Sequence, residues 1–188
     1  MRKKDDYFAC DCFRKLGKYK ASVVDLFLNR DLICLKAFRK ANYYFRTQNK
    51  FMYLIYTFKL KKYLNRYDFN VPASTKIGKG FFIGHNGPII INSNAIIGDN
   101  CNVATGVTIG AENRGKRKGS PVIGNNVWIG TNAVIVGKIT VGNNVLIAPN
   151  AFVNFDVPDN SIVIGNPAKI IYSLEATKDY ITNEVVTI

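Results

Sequence analysis

Histidine, cysteine and long apolar runs are the scarce features of this 188-residue sequence. No apolar run approaches the ~18–20 residues that span a membrane. The start of the chain, Met1 to Asp6, leads into no apolar stretch, so we expect no signal peptide. The four cysteines include no CxxC pair, which argues against a zinc site or a disulfide framework and favours reduced thiols in a cytosolic protein.

Proline and glycine are also nearly missing from the first third of the chain. All six prolines and 14 of the 15 glycines lie beyond residue 70, whereas 16 of the 23 aromatic residues lie before it. Residues 1–69 also hold 17 of the 26 Lys and Arg but 6 of the 13 Asp and Glu, which places +11 of the +13 net charge there. Two regions with different folds therefore meet near Asn70.

The first region is expected to be α-helical. It lacks the residues that interrupt helices, and from Ala21 to Gln48 its apolar residues recur at spacings of three and four. A second apolar run, interleaved with lysines, extends from Asn49 to Asn65. The pattern predicts helices over 21–48 and 49–65.

The second region repeats with a period of six. Its aliphatic repeat positions are Val71, Ile77, Ile83, Ile91, Ile97, Val103, Ile109, Ile123, Ile129, Ile135, Val141, Ile147 and Val153. Three such units form one coil of a triangular parallel β-helix, in which the aliphatic residues stack inward and Gly or Asn occupies the corners. These thirteen positions predict four to five coils, and a β-sandwich offers no reason for so long a six-residue register.

This run resembles the left-handed β-helix acyltransferases of the hexapeptide-repeat family. The resemblance is carried by Lys76-Ile77-Gly78-Lys79-Gly80, Ile83-Gly84-His85, Gly106-Val107-Thr108-Ile109-Gly110, Val127-Trp128-Ile129-Gly130 and Gly165-Asn166-Pro167-Ala168-Lys169. It is strongest to the serine acetyltransferases and to their relatives that acetylate sugars of bacterial surface polysaccharides. The expected fold is therefore mainly β. It has a small helical region (1–69), a left-handed β-helix (70–171) with an inserted loop (111–121), and a C-terminal tail (172–188).

The resemblance implies acetyl transfer from acetyl-CoA directly to a hydroxyl, with His85 as the general base. An imidazole titrates near ~6.5, which suits that task, and the neighbours Gly84, Asn86 and Gly87 are small. The family's usual partner for this histidine is an aspartate, but Asn70 stands at the matching position. Asp68 is the alternative partner, and a simple turn role for Asn70 remains open. One histidine cannot supply the three that hold zinc in carbonic anhydrases of this fold, so no metal is expected.

The resemblance also implies where coenzyme A and the oxyanion bind. The backbone N–H near Gly110 and Ala111 is the expected oxyanion donor, and the basic loop 111–121 would meet anionic groups unless it is only solvated. Lys169 would meet a coenzyme A phosphate. The expected groove wall consists of small residues: Gly130, Thr131, Ala133, Ala148 and Pro149.

The acceptor is expected to be a sugar hydroxyl of a glycan precursor. Serine acetyltransferases carry an aspartate where Gly84 stands, a histidine where Ser120 stands, and a longer helical domain. These departures favour a sugar, with Gly84, Asn86 and Ser120 facing the acceptor. Serine O-acetylation and a non-catalytic assembly scaffold are the alternatives.

The family resemblance implies a homotrimer, in which the N-terminal helices either extend the assembly or cap the β-helix. The charge excess is confined to the helices, so nucleic acid is not the expected partner. Basic helices rich in Tyr and Phe are typical of surfaces that meet anionic lipid. Residues 1–69 are therefore expected to touch the inner membrane face, where lipid-linked glycans are built, unless their aromatics pack the trimer.

Overall fold

The computed structural model describes residues 6–85 and 87–186, and its first part is helical. The helices are α1 (Tyr7–Leu16), α2 (Val23–Leu28), α3 (Arg30–Arg46) and α4 (Lys50–Tyr67). The single helix predicted over 21–48 is wrong, because the backbone of Asn29 is not helical (φ −114°, ψ 87°) and separates α2 from α3. The helix predicted over 49–65 corresponds to α4, and α1 had not been singled out.

The remainder forms three sheets that are the faces of a β-helix. The strands are β1 (Phe69–Asn70), β2 (Lys76–Ile77), β3 (Phe82–Ile83), β4 (Ile89–Ile91), β5 (Ile96–Ile97), β6 (Asn102–Val103), β7 (Thr108–Gly110), β8 (Val122–Ile123), β9 (Val127–Ile129), β10 (Val134–Val136), β11 (Thr140–Val141), β12 (Val145–Ile147), β13 (Phe152–Val153), β14 (Ser161–Ile164) and β15 (Lys169–Tyr172). The sheet orders are β1-β4-β7-β10-β13, β11-β8-β5-β2 and β15-β14-β12-β9-β6-β3. Each strand from β1 to β10 pairs in parallel with the strand three places on, so three strands make one coil and the solenoid has about five coils. The predicted fold class is confirmed.

The six-residue period is explained by the stacking of aliphatic side chains inside the coils. Ile83 aligns with Val103, Val103 with Ile129, and Ile129 with Ile147 across one sheet. All four are buried. Several corners use asparagine in the left-handed conformation, which asparagine tolerates better than most residues. Asn100, Asn126, Asn144 and Asn160 all have φ between 52° and 57°.

The helices cover the first coil, whose outer edge has no preceding coil to bond. Arg39 of α3 lies across this edge and donates to the carbonyl oxygens of Ile77 (2.7 Å) and Gly78 (2.6 Å). The same guanidinium holds both carboxylate oxygens of Asp11 from α1, at 2.8 and 2.9 Å. Asp11 in turn accepts from the backbone N–H of Phe81 at 2.9 Å. This buried ion pair therefore satisfies both donors and acceptors of the open edge.

Other helix side chains complete the same edge. Arg14 donates to the Gly80 carbonyl at 3.1 Å and Lys15 to the Ile83 carbonyl at 3.0 Å. Asn42 donates to the carbonyls of Ala73 (2.7 Å) and Thr75 (3.1 Å). Buried apolar side chains of the helices and of the first coil belong to one continuous core. Of the two expectations for the helices, capping the β-helix is what the structure shows.

The predicted C-terminal tail is packed against the β-helix as far as residue 186. After β15 it returns along the asparagine corner, where Asn144 donates to the Leu174 carbonyl at 2.8 Å. Asn100 exchanges two hydrogen bonds with the backbone of Val185, at 2.9 and 3.1 Å. Ile181 and Val185 are buried there. The segment therefore ties later coils to earlier ones.

None of the described helices combines the length and the apolar character that crossing a membrane requires. All four cysteines are free and buried.

Arg39→Ala is expected to lower the free energy of unfolding by about 3–5 kcal/mol, because it leaves the Asp11 carboxylate buried without its cation. The matched control is Lys40→Ala, which removes an exposed cation from the same helix. Urea unfolding at one protein concentration measures both variants, since subunit association would otherwise alter the result. Equal stabilities would contradict this account of the edge.

Candidate functional site

His85 lies at the corner between two sheets of the first coil. It follows β3 in the six-stranded sheet and precedes β4 in the five-stranded sheet. The strand register places it in one column with Thr105, Thr131 and Pro149 of the later coils. Its side chain is exposed, so the imidazole is accessible to a ligand.

A small pocket lies between this corner and the start of α3. Its lining residues are Asp31, Cys34, Phe69, Ile83, His85, Gly87 and Ile89. This shallow, half-open pocket has a volume of about 10 Å³, which is room for roughly one water molecule. A larger acceptor would therefore sit at the mouth of the pocket, where His85 is exposed.

Asp31 and Lys15 form an ion pair beside this pocket. Asp31 lies in the first turn of α3 and is only 7% exposed. Its Oδ2 atom lies 3.2 Å from Lys15 Nζ, which also donates to the carbonyl of Ile83. Sequence reasoning did not single out Asp31, because a lone carboxylate on a basic helix carries no local sign that it approaches residue 85.

Cys34 also lines the pocket and carries a titratable thiol. Burial raises the pKa of its thiol to about 12, and the negative charge of Asp31 adds to the effect. The thiol is therefore protonated at neutral pH and is a poor nucleophile.

The two expected partners of His85 lie outside the pocket lining. Asn70 pairs with Ile90 in the five-stranded sheet, and its side chain is exposed. Asp68 is exposed and occupies the turn before β1, with φ 51°. Among the described residues, no hydrogen bond joins either side chain to His85.

The expected oxyanion donor lies at a different corner from His85. Gly110 ends β7 in the five-stranded sheet, where the chain turns towards the four-stranded sheet. At ~3.3 Å per residue, a face of about six residues puts up to ~20 Å between the two corners. One protomer therefore does not bring Gly110 and Ala111 to His85.

The inserted loop leaves that same distant corner. Glu112 and Gly119 form an antiparallel bridge at its base, and Lys138 N–H donates to the Arg117 carbonyl at 2.8 Å. The Ser120 hydroxyl already has a hydrogen-bond partner, since its Oγ donates to Asn92 Oδ1 at 3.0 Å. The exposed cations of the loop are Arg114, Lys116, Arg117 and Lys118.

The expected coenzyme A wall, in contrast, lies on the same corner as His85. The residues concerned are Gly130, Thr131, Ala133, Ala148 and Pro149. A Cβ at Gly130 would meet the Pro149 nitrogen at 2.6 Å, so this close contact between coils requires glycine. Lys169 begins β15, the antiparallel last strand of the six-stranded sheet, and is exposed.

Gly84 and Asn86 are the remaining residues that were expected to face the acceptor. A Cβ at Gly84 would find its nearest neighbour, the Val103 carbonyl oxygen, at 3.7 Å, so the position has room for a side chain that glycine does not supply. Asn86 lies outside the described residues. No group of three or more His, Cys, Asp or Glu in the described part of the chain could hold a metal ion.

Comparison with known proteins identifies the repeat. Residues 120–154 match the family described as bacterial transferase hexapeptide (six repeats). A serine acetyltransferase of Synechococcus elongatus is 38% identical over 102 residues, which are 54% of this chain and 42% of that protein. One from Helicobacter pylori is 41% identical over 101 residues, or 54% of this chain and 59% of that protein. The chain thus spans about half the length of these curated relatives.

Solved structures share the fold. The soybean serine acetyltransferase apoenzyme superposes with a TM-score of 0.71 at 24% identity, over 89% of this chain and 67% of that chain. A Brucella abortus serine acetyltransferase in complex with coenzyme A gives 0.72 at 23% identity, over 88% and 66%. These four proteins are all named serine acetyltransferases, and none of the four is named as a polysaccharide-modifying enzyme. Residues 120–154 thus carry the hexapeptide repeat, and the chain shares the β-helix fold of these solved structures.

Proposed function

We propose that this protein is an acetyl-CoA-dependent O-acetyltransferase with His85 as its general base. The observation that carries the proposal is the position of His85. The only imidazole of the chain is exposed beside a pocket. It lies on the corner of the β-helix that is lined by small residues in the later coils. The similarity to serine acetyltransferases supports the same activity.

The reaction needs one base and one oxyanion site. His85 accepts the hydroxyl proton as the acceptor oxygen attacks the thioester carbonyl carbon. The resulting oxyanion accepts a hydrogen bond from a backbone N–H near Ala111. The carbon–sulfur bond then breaks, and the coenzyme A thiolate takes up the proton from the imidazolium. Since the Cys34 thiol in the pocket stays protonated, direct transfer is favoured over an acyl-cysteine intermediate.

A trimer would complete this site. His85 and Gly110 occupy different corners of one protomer, so a site that uses both takes them from two neighbouring protomers. Coenzyme A would lie along Gly130 and Thr131 between those protomers, and Lys169 with the basic loop would meet its phosphates. In this proposal, Asn70 and Asp68 make only a minor contribution to orienting the His85 imidazole.

L-Serine is the first candidate acceptor and a sugar hydroxyl is the second. The relatives favour serine, in contrast to the sugar that the sequence motifs led us to expect. Two observations keep the sugar in consideration. Gly84 offers no side chain to hold an amino acid, and Ser120 is engaged by Asn92. Thiol release from acetyl-CoA with L-serine and with a panel of nucleotide sugars decides between the two, because the true acceptor alone should accelerate it.

His85→Ala is expected to lower kcat by at least ~10²-fold with the preferred acceptor, the scale of losing a general base. His85→Gln, which keeps hydrogen bonding but cannot act as the base, should lose as much. Lys178→Ala, an exposed change on the C-terminal segment, is the control and should keep wild-type turnover. Undiminished kcat in both His85 variants would refute the mechanism.

Contact with anionic membranes is proposed for α2. Four of its six residues are apolar and at least 65% exposed: Val23, Val24, Phe27 and Leu28. Lys18 and Lys20 lie just before the helix and are exposed as well. An exposed apolar face beside cations suits insertion between anionic headgroups. The competing occupant of this face is a second copy of the chain.

Flotation with phosphatidylglycerol vesicles at low and high salt tests this contact. The protein is expected to float with the vesicles at low salt, and Phe27→Asp should abolish binding, whereas Ile164→Asp, an exposed change on the last coil, should not. Binding that is absent at both salt concentrations would refute the proposal. If Phe27→Asp instead dissociates the oligomer, the face packs against another protomer.

A further inference from the structure

The pocket beside His85 contains a buried carboxylate that neither the motifs nor the relatives assign. We propose that Asp31 is the positioning residue of His85: its carboxylate orients the imidazole and stabilises the imidazolium that forms during proton transfer. This inference rests on the proposed role of His85 as the base. It gives a carboxylate role to a helix residue at a site where Asn70 replaces the expected acid.

The burial of Asp31 is the first argument. The side chain is 8% exposed and lines the pocket together with His85. Its Oδ2 atom is fully enclosed and accepts no hydrogen bond of acceptable geometry from the described residues. Buried polar atoms are rarely left in this condition, and a carboxylate in the interior is costly unless it is paired. A buried carboxylate with unused acceptor capacity thus lines the same pocket as the imidazole.

Lys15 supplies the second argument. Its ammonium lies 3.2 Å from Asp31 Oδ2 and keeps a positive charge next to the carboxylate. The same ammonium donates to the carbonyl of Ile83, two residues before His85. The ion pair is therefore attached to the backbone that presents the imidazole. The titratable groups around this carboxylate are Lys15, Cys34 and His85.

The small volume of the pocket limits what can lie between His85 and Asp31. The half-open pocket has room for about one water molecule, and no direct ion pair joins His85 to Asp31. Rotation of the exposed His85 side chain towards the carboxylate would close that gap in the free enzyme. Asn70, by comparison, is exposed on the strand and lies outside the pocket lining.

The test compares Asp31→Asn with Asp31→Glu in the full-length enzyme. Asp31→Asn should lower kcat by about 10–100-fold and change the KM for acetyl-CoA by less than about twofold, because the loss falls on the proton-transfer step. Asp31→Glu should recover part of the lost kcat. Asp179→Asn makes the same chemical change at an exposed position and should behave as wild type. Asn70→Ala should lose less kcat than Asp31→Asn.

A second test uses ¹⁵N NMR spectroscopy and includes a measurement on the wild-type enzyme, which does not require that a variant folds. Because the chain has one histidine, the ¹⁵N signals of labelled imidazole come from His85 alone. At about pH 8.5, well above the ~6.5 of a free imidazole, the wild-type enzyme should show one dominant tautomer. Asp31→Asn should show averaged nitrogen shifts. Averaging already present in the wild type would overturn the proposal.

The kinetic outcomes separate two failures. If His85→Ala is inactive and Asp31→Asn turns over like wild type, the role of Asp31 is wrong and the base stands. If Asp31→Asn raises only the KM for the acceptor, Asp31 binds the acceptor and the positioning role is also overturned. If His85→Ala is fully active, the proposed function itself fails.

Discussion

The open edge of the first coil is the constraint on which this architecture depends. Every later coil receives backbone hydrogen bonds from the coil before it, but the first has none. A single guanidinium, Arg39, bonds two of the exposed carbonyls and at the same time holds Asp11, which bonds the Phe81 N–H. Charged groups are well suited to this position because one side chain can satisfy several backbone groups of irregular spacing.

The same contacts explain why the site lies where it does. Fixing α1 and α3 on the first coil brings Lys15 to the Ile83 carbonyl and Asp31 to the pocket beside His85. The helical cap and the candidate site are therefore one structural unit. Part of the net positive charge is also not available at the surface. Arg14 and Arg39 are buried and hydrogen-bonded to the β-helix, so they do not contribute to an exposed basic surface.

The β-helix was predictable because its determinants are local and repeated. A residue such as Ile129 stacks on its equivalents one coil away, so the fold produces a six-residue spacing of aliphatic residues that is visible in the sequence. His85 could be singled out as a candidate base for a different reason, because it is the only imidazole in the chain. The break at Asn29, the position of Asp31 beside His85 and the return of the C-terminal segment depend on contacts between distant residues. The hydrogen bonds between Asn100 and Val185, for example, join positions 85 residues apart and leave no local pattern.

Amide hydrogen exchange across the first coil tests the central claim that the helices complete its edge. The Phe81 N–H bonds a buried carboxylate that Arg39 holds in place. Its exchange should be slow in the wild-type protein, close to that of amides in the third coil, and should accelerate in Arg39→Ala while the third coil stays protected. Rapid exchange of Phe81 in the wild-type protein, or unchanged protection in the variant, would contradict the account.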